Sequence, residues 1–337
     1  MKPLRHISAA EVSAAMPPIR ERLALAERTM RALGRDADLP PKIGVHPRQP
    51  GSLAHAMPAL LRGEAADGSE DLIGAKWITG FPANPAMGLP AYHAVILLSD
   101  PVTGEPLAVM DGAAITAART AAISGTVIRH FLPEITRQDR RPMRVAVLGA
   151  GAQARSHLPV IGYVLPGTQV RLTDIDATRA SALAGEASGT EGIGSARAVS
   201  SVREAVESAD VVISTISFGP NRQALDPAWL GRGVLFVAVD YDMQAPAALA
   251  REAFFVVDER DQFLATRAGP VFTGYPDPDA TIGELLLSGP SPEPDTSPSG
   301  AGRILVTHLG VGLADVVFAS AILARAEQLG LGRPLPR

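Results

Sequence analysis

The chain has 337 residues, 46% of them hydrophobic and 20% charged, which is enough apolar material for two folded domains and argues against disorder. A formal net charge of -4 and the lack of a basic run exclude an electrostatic surface for nucleic acid or an anionic membrane, and they favour small-molecule chemistry. The absence of cysteine rules out disulfides, thiolate nucleophiles and cysteine-ligated zinc. Because we find neither a secretion signal nor eighteen successive apolar residues, we expect a cytoplasmic protein.

The first part of the chain carries a lysine in an apolar setting. Lys76 lies within residues 73–80, Ile-Gly-Ala-Lys-Trp-Ile-Thr-Gly, a run that is typical of a β-strand. If the side chain points inward, its ammonium group needs a partner, whereas an outward-facing strand lysine needs none. The pattern alone leaves both interpretations open.

A second cation stands near the predicted start of a helix. Residues 111–122 indicate a turn and then a helix, with Thr116 as the N-cap and Arg119 in the first turn. The helix dipole disfavours a cation there, so Arg119 makes sense if it holds an anion together with backbone N–H groups. That anion would be a substrate carboxylate or a cofactor phosphate. A salt bridge to Asp111 is the alternative.

The middle of the chain opens with a dinucleotide-binding pattern. Residues 143–159 read Met-Arg-Val-Ala-Val-Leu-Gly-Ala-Gly-Ala-Gln-Ala-Arg-Ser-His-Leu-Pro, a buried strand, a turn and a helix. Gly149, Gly151 and Ala154 supply the tight turn, the close approach to a pyrophosphate and the helix packing. The phosphate would sit at the helix N-terminus. A glycine turn without a ligand is the alternative.

The next predicted strand, residues 169–173, ends at Asp174, where an acidic residue is expected to hold the ribose 2′-hydroxyl. A carboxylate there repels a 2′-phosphate, so we expect NAD as the cofactor. Arg171 and Arg179 lie nearby in the sequence and keep NADP as a second possibility.

Strand and helix patterns alternate from about residue 144 to residue 258, which predicts a doubly wound, mostly parallel sheet of the Rossmann type. The predicted strands are residues 145–148, 169–173, 211–215, 234–239 and 254–257. Residues 288–302 are rich in Ser, Pro and Gly and indicate a flexible surface loop. Beyond it, a strand at 303–306 and a helix at 313–329 are expected to return to the first domain.

Asp240 and Asp242 directly follow the predicted strand 234–239, at the sheet edge where ligands of such folds bind. One of them is a candidate to take a proton from an amine, and two solvated turn residues are the alternative. The seven histidines show no ligand spacing, and Gly-x-Ser-x-Gly is absent. We therefore predict neither a metal site nor a serine hydrolase.

Taken together, these residues resemble the ornithine cyclodeaminase and μ-crystallin family in order and spacing over about residues 40–332. The matching positions are Lys76, Asn84, 88–90, Asp100, 103–104, Asp111, Thr116, 119–122, 149–154 and 310–315. The resemblance implies a homodimer, with a discontinuous α+β substrate-binding and dimerisation domain in residues 1–130 and 303–337. It also implies a Rossmann dinucleotide-binding domain in residues 131–302, and substrates that are small amino or imino acids.

By position, the resemblance gives Lys76 and Arg119 the role of clamping the substrate carboxylate, with Lys42 as a further cation, and it makes Lys76 a catalytic residue as well. Asp242 falls on the catalytic aspartate, which exchanges protons with the substrate amine. The residues expected to hold the cofactor are Thr120, Gly149, Gly151, Ala152, Gln153, Asp174 and Thr215.

Three positions depart from the ornithine pattern. His55 stands in place of a glutamate that meets the distal amine, His308 in place of a small hydroxyl residue, and Asp240 in place of a glycine. An imidazole is a poor partner for an ammonium group, so we expect an amino-acid dehydrogenase or imine reductase that depends on NAD(P). The alternatives are an ornithine cyclodeaminase, which forms proline and ammonia and recycles its cofactor, and a non-catalytic cofactor-binding protein.

Overall fold

The computed structural model describes residues 3–133, 136, 141–288 and 302–336. The chain forms two compact units: the residues up to Arg119 together with those from Gly310 onward, and Thr120–Leu309. The domain boundaries expected from the sequence, at 130/131 and 302/303, stay a prediction.

The first unit is built on an eight-stranded sheet that uses both ends of the chain. Its strands are β1 (Leu4–Ile7), β2 (Ala37–Asp38), β3 (Ile43–Val45), β4 (Leu53–Leu61), β5 (Leu72–Gly80), β6 (Tyr92–Ser99), β7 (Pro106–Asp111) and β16 (Arg333–Leu335). They lie in the order β16-β1-β7-β6-β5-β4-β2, with β3 also paired to β4. The helices are α1 (Ala9–Ala14), α2 (Ile19–Ala32), the start of α3 (Ala113–Phe131) and α10 (Gly312–Gln328), with a 3-10 turn at Asn84–Met87.

The long strands β4, β5 and β6 pair antiparallel, so alternate side chains point to opposite faces. On β5, Gly74, Lys76 and Gly80 are buried, whereas Ile73 and Trp77 are exposed. Helix α10 packs on β4, β5 and β6, and its residues from Gly312 to Ala319 are all buried. The face that carries Lys76 is therefore the covered one, and the inward interpretation of this lysine is correct.

The second unit is a parallel sheet with helices between its strands. The strands are β8 (Arg144–Leu148), β9 (Thr168–Thr173), β10 (Ile193–Ala198), β11 (Val211–Ser214), β12 (Leu235–Ala238), β13 (Phe254–Val257), β14 (Ala280–Thr281) and β15 (Ile304–Thr307). The helices are the rest of α3, α4 (Ala152–Val164), α5 (Ala177–Ser188), α6 (Val202–Val206), α7 (Ala247–Glu252), α8 (Arg260–Arg267) and α9 (Ile282–Ser288), with a 3-10 turn at Pro227–Trp229.

The strand order is β10-β9-β8-β11-β12-β15-β13-β14. Successive strands are added toward one edge of the sheet from β8 to β10, and toward the other edge from β11 onward. Doubly wound sheets bind ligands at such a reversal of strand order, at the carboxyl ends of the strands. Every residue of β11, β12 and β15 is buried, because helices cover both faces. The doubly wound parallel sheet predicted from the sequence is confirmed.

The predicted strands in the second unit agree with the observed ones to within one residue at each end. The strand expected at 303–306 is β15, but it completes the parallel sheet of the second unit instead of joining the first. The helix expected at 313–329 is α10. Most of the loop expected at 288–302 lies outside the described residues. Within the described part of the chain, no helix combines the length and the apolar character needed to cross a membrane.

Candidate functional site

In the first unit, two cations share one buried carboxylate. The Nζ atom of Lys76, on β5, lies 2.5 Å from Oδ2 of Asp315, in the first turn of α10. The Nε atom of Arg119, on α3, lies 3.2 Å from Oδ1 of the same carboxylate. Lys76 is 1% exposed, Arg119 5% and Asp315 0%. The two predicted clamp residues are thus brought together by an acid whose role the sequence did not reveal.

The local structure around Arg119 differs from the sequence-based expectation. Helix α3 begins at Ala113, whose N–H donates to Oδ1 of Asp111 at 3.0 Å. Thr116 therefore lies inside the helix and is not its N-cap, and Arg119 lies in the second turn. The salt bridge from Arg119 goes to Asp315 and not to Asp111.

Burial lowers the pKa of Lys76 from 10.5 to about 7, and the neighbouring cations Arg119 and Lys42 act in the same direction. The Asp315 carboxylate opposes this change and favours the ammonium form. A lysine whose charge changes near neutral pH is unusual, and such groups cluster at functional sites.

His55 lies on β4 and is paired with Gly44 of β3, the strand that directly follows Lys42. The His55 side chain lies on the covered face of the sheet, as does that of Met57. Burial, and to a smaller extent the positive charges of Lys42, His46 and Lys76, lower the pKa of His55 from 6.5 to about 4. The imidazole is therefore neutral at physiological pH, in surroundings that are electrostatically positive.

In the second unit, the turn between β8 and α4 is shaped for close approach. Gly149 has a φ of +97°, and a Cβ there would lie 2.9 Å from the carbonyl oxygen of Thr215. Gly151 is the N-cap of α4 and carries no capping side chain, and Ala152 and Gln153 form the first turn. The buried Oε1 atom of Gln153 has no hydrogen-bond partner among the described residues. The N–H groups at the start of α4 and the open space at Gly151 fit a dinucleotide phosphate, whereas the Gln153 oxygen, an acceptor, does not add to this fit.

Asp174 follows β9 and is tied to this turn. Its Oδ2 accepts from the N–H of Ala150 at 2.7 Å, and its Oδ1 accepts from the N–H of Asp176 at 2.9 Å. Arg171 donates to the carbonyls of Glu204 and Glu207, so its guanidinium is used elsewhere. Arg179 is the arginine near the turn, with Nη2 3.9 Å from the position of a Cβ on Gly151.

Thr215 directly follows β11, and its hydroxyl donates to the carbonyl of Leu148 at 3.0 Å. Gly149, Gly151, Ala152, Gln153, Asp174 and Thr215 thus lie around one turn. Thr120 is buried in α3.

The two aspartates after β12 have different surroundings. Oδ2 of Asp240 accepts from the Ser214 hydroxyl and from the N–H of Ile216, while its buried Oδ1 has no hydrogen-bond partner among the described residues. Burial raises the pKa of Asp240 from 3.8 to about 7. This side chain is neutral below that pH.

Asp242 is 1% exposed and is held at both oxygens. Its Oδ1 accepts from Arg222, and its Oδ2 accepts from the N–H of Phe272 at 2.9 Å. Tyr241, between the two aspartates, adopts a left-handed φ of +63°, and its ring stacks on that of Phe272 at 5.7 Å. A non-glycine residue in this region costs about 1–3 kcal/mol and is often found at functional sites.

A hydrogen-bonded chain of two histidines and a serine was missed by the sequence analysis. Nδ1 of His157 lies 2.7 Å from the carbonyl of Gln153, and because a carbonyl only accepts, Nδ1 carries the proton. Nε2 of the neutral ring then accepts from the Ser124 hydroxyl at 2.8 Å, whose oxygen accepts from Nε2 of His308 at 3.0 Å. Burial lowers the pKa of His157 to about 4. His308, which departs from the family pattern, is thus the partner of Ser124.

Among the described residues, no group of three or more His, Asp or Glu side chains is arranged to hold a metal ion. The expectation that the protein has no metal site stays a prediction.

Comparisons with known proteins agree with this geometry. The family model described as "Ornithine cyclodeaminase/mu-crystallin family" matches residues 7–326. "Nodulation efficiency protein NfeD" of Rhizobium meliloti is 31% identical over 98% of both chains. "Ketimine reductase mu-crystallin" of Mus musculus is 32% identical over 68% of this chain and 69% of its own. The solved structure of Thermococcus litoralis Delta(1)-pyrroline-2-carboxylate reductase with NADH and L-proline has a TM-score of 0.81 at 23% identity, and covers 98% of this chain and 100% of its own.

Proposed function

Because this chain belongs to the ornithine cyclodeaminase/mu-crystallin family, we propose that it is an NAD(P)-dependent oxidoreductase of a small α-amino or cyclic imino acid. The observation that carries the proposal is the pair of buried cations, Lys76 and Arg119, held by one carboxylate. The glycine turn after β8 supplies the matching dinucleotide site. A ketimine reductase among the relatives supports the imine-reductase type of activity.

The residues proposed to hold the dinucleotide are Thr120, Gly149, Gly151, Ala152, Gln153, Asp174 and Thr215. The N–H groups at the start of α4 would bind the pyrophosphate. Asp174 supports NAD as the cofactor, because its carboxylate is fixed beside the turn and would repel a 2′-phosphate. Arg179 lies near the same turn and leaves NADP as the second choice. When bound, the nicotinamide supplies the acceptor or donor of a hydride.

On the substrate side, Lys76 and Arg119, with Lys42 as a further cation, would bind the carboxylate through charge-assisted hydrogen bonds. Each such bond contributes about 1.5–3 kcal/mol, and together they would fix the orientation of the neighbouring α-carbon. Asp242 would take a proton from the substrate amine during oxidation and return it during reduction. The contacts from Arg222 and Phe272 hold this carboxylate in one orientation.

His55 supports a substrate without a distal ammonium group. Its pKa of about 4 keeps it neutral, and Lys42, His46 and Lys76 surround it with positive charge. A second ammonium group in these surroundings would be repelled. The site therefore supports an uncharged side chain or a cyclic imine over ornithine, whose cyclisation is the less favoured alternative.

The test is to mix purified protein with NAD(H) or NADP(H) and a panel of amino acids and cyclic imines while following the absorbance of the reduced cofactor. A change with at least one substrate is the expected result. Proline and ammonia from ornithine without a net absorbance change would identify a cyclodeaminase instead. Tight cofactor binding without turnover of any compound would favour the binding-protein alternative.

We further propose a homodimer formed through the outer face of the first sheet. Ile73 and Trp77 of β5 and Val95 and Leu97 of β6 are each between 36% and 48% exposed. Trp77 and Val95 are paired in the strand register, so these side chains lie on one face, opposite Lys76. A contiguous apolar patch of this kind marks an interaction surface. Trp77→Lys should turn a dimer into a monomer in light scattering, and an unchanged mass would argue against this interface.

A further inference from the structure

The segment that carries Asp315 also forms the backing of the cation pair. Gly310 has a φ of +80°, and a Cβ there would lie 2.6 Å from Nη1 of Arg119. Gly312 lies equally close to the main chain of β4, because its Cβ would be 2.6 Å from the carbonyl oxygen of Met57. These two close approaches bring the start of α10 against both Arg119 and the sheet. They fix the position of the first helical turn, where Asp315 lies.

The three buried side chains carry a net charge of +1 when all are ionised, because Lys76 and Arg119 contribute two positive charges and Asp315 one negative. Without Asp315, two cations would share a buried site with no anion, which is strongly unfavourable. A second buried acid would neutralise the site and remove its attraction for an anion. The N-terminal end of α10 is a favourable location for the one negative charge that is present.

We propose that Asp315 is the positioning residue of the carboxylate clamp: it holds the ammonium of Lys76 and the guanidinium of Arg119 side by side and favours the charged form of Lys76. Asp315 touches neither substrate nor cofactor in this scheme and acts through the two cations. The inference rests on the proposed function insofar as the anion is a substrate carboxylate. The effect on Lys76 does not depend on that function.

Among the described residues, three charged groups act on the pKa of Lys76: Asp315, Arg119 and Lys42. Asp315 stabilises the ammonium form, whereas Arg119 and Lys42 oppose it. His55 is neutral above about pH 4 and adds no charge at neutral pH. Of these neighbours, Asp315 supplies the negative charge, so its removal should shift the titration of Lys76 to lower pH.

The chain offers a direct measurement, because it contains only three lysines, Lys2, Lys42 and Lys76. Protein labelled with ¹³C-lysine gives three Cε signals whose shifts can be followed against pH, and Lys42→Arg and Lys2→Arg assign them. In the wild type, the Lys76 signal should titrate near pH 7. In Asp315→Asn it should titrate at least one pH unit lower, and Asp315→Glu should recover most of the difference.

A binding measurement separates positioning from a general structural role. Pyrrole-2-carboxylate, a planar molecule with one carboxylate, is titrated by calorimetry in the presence of the cofactor. At pH 7.5, Asp315→Asn should weaken its binding about tenfold or more, and the deficit should shrink toward pH 5.5 as Lys76 regains its proton. A deficit that is equal at both pH values would indicate mere structural damage and would overturn the proposal.

Asp210→Asn is the matched control, since Asp210 is also a buried aspartate that contacts two arginines, Arg141 and Arg144, but lies in the second unit. It should leave the Lys76 titration unchanged. A wild-type Lys76 that titrates below pH 5 would refute the inference even if Asp315→Asn does not fold, because Asp315 would then fail to keep the ammonium form. Normal turnover combined with an unshifted Lys76 in Asp315→Asn would refute the role of Asp315 and leave the proposed function intact. A shifted Lys76 in Asp315→Asn, together with a wild-type protein that turns over no substrate, would refute only the function.

Discussion

Asp240 should make the second unit less stable as the pH rises, and replacing it with asparagine should remove that loss. The carboxyl group is 2% exposed, and one of its oxygens has no hydrogen-bond partner among the described residues. Asparagine has the same shape, and its Oδ1 can accept from Ser214 and from the N–H of Ile216 as the carboxyl does. Asparagine does not ionise, so the variant isolates the effect of the charge.

The expected magnitude follows from the change in pKa. Burial raises the pKa of Asp240 from 3.8 to about 7, so between these values the folded state binds a proton that the unfolded state has lost. The stability associated with this group is complete below pH 3.8 and is lost as the pH rises through 7. Each pKa unit corresponds to about 1.36 kcal/mol. The total loss over this range is therefore about 4 kcal/mol.

The assay can observe the second unit alone. The chain has two tryptophans, of which Trp77 lies in the first unit and Trp229 packs against the core of the second. In a Trp77→Phe background, the fluorescence of Trp229 reports urea unfolding of the second unit. Asp240→Asn should match its parent within about 1 kcal/mol at pH 4.5 and exceed it by several kcal/mol at pH 8.

Ser214→Ala serves as a second variant, because the direction in which it should change the pKa of Asp240 is known. The Ser214 hydroxyl lowers the pKa of Asp240, so its removal should move the pH window of instability upward. If Asp240→Asn and its parent show the same dependence of stability on pH between 4.5 and 8, Asp240 is ionised throughout and the reasoning is wrong.

Three further predictions concern the second unit. The variant His157→Gln keeps an acceptor for Ser124 but cannot ionise. Burial lowers the pKa of His157 from 6.5 to about 4. In the same urea assay, the free energy of unfolding of the wild type should therefore fall by about 3 kcal/mol relative to this variant as the pH falls from 6.5 to 4. Gly149→Ala should destabilise the fold by about 1–3 kcal/mol in thermal unfolding because of its positive φ, whereas Gly151→Ala should leave stability unchanged and weaken NADH binding in a fluorescence titration. Asp242→Asn should retain cofactor affinity and lower kcat by about 10²–10⁴-fold, and unchanged turnover would remove Asp242 from the mechanism.

Local patterns were sufficient to predict five strands of the second unit and their parallel arrangement. Val145–Leu148 is a short apolar run bounded by glycine, and such runs form strands that are buried on both faces of a parallel sheet. The acidic residue after the following strand, Asp174, lies beside the glycine turn because β8 and β9 are neighbours. Here the sequence was informative because strand, turn and helix follow one another in the chain.

The hydrogen-bonded chain of Ser124, His157 and His308 could not be predicted in the same way. Its members lie on α3, α4 and at the end of β15, and no fixed spacing relates them. The nearest indication was His157 itself, on the buried side of the helix that opens with the glycine turn. A buried histidine needs partners for both ring nitrogens, but which residues provide them depends on packing between elements.

The partner of Arg119 shows why the clamp was only half predicted. The chain has 35 acidic residues, and the one closest to Arg119 in sequence, Asp111, accepts from the first N–H of α3. The acid that Arg119 contacts is 196 residues away, in a segment that reaches β5 because the first unit is built from both ends of the chain. Residues 310–315 therefore form part of the proposed clamp together with Lys76 and Arg119. It follows that a substitution that moves the start of α10, such as Gly312→Ala, should alter carboxylate binding without touching either cation.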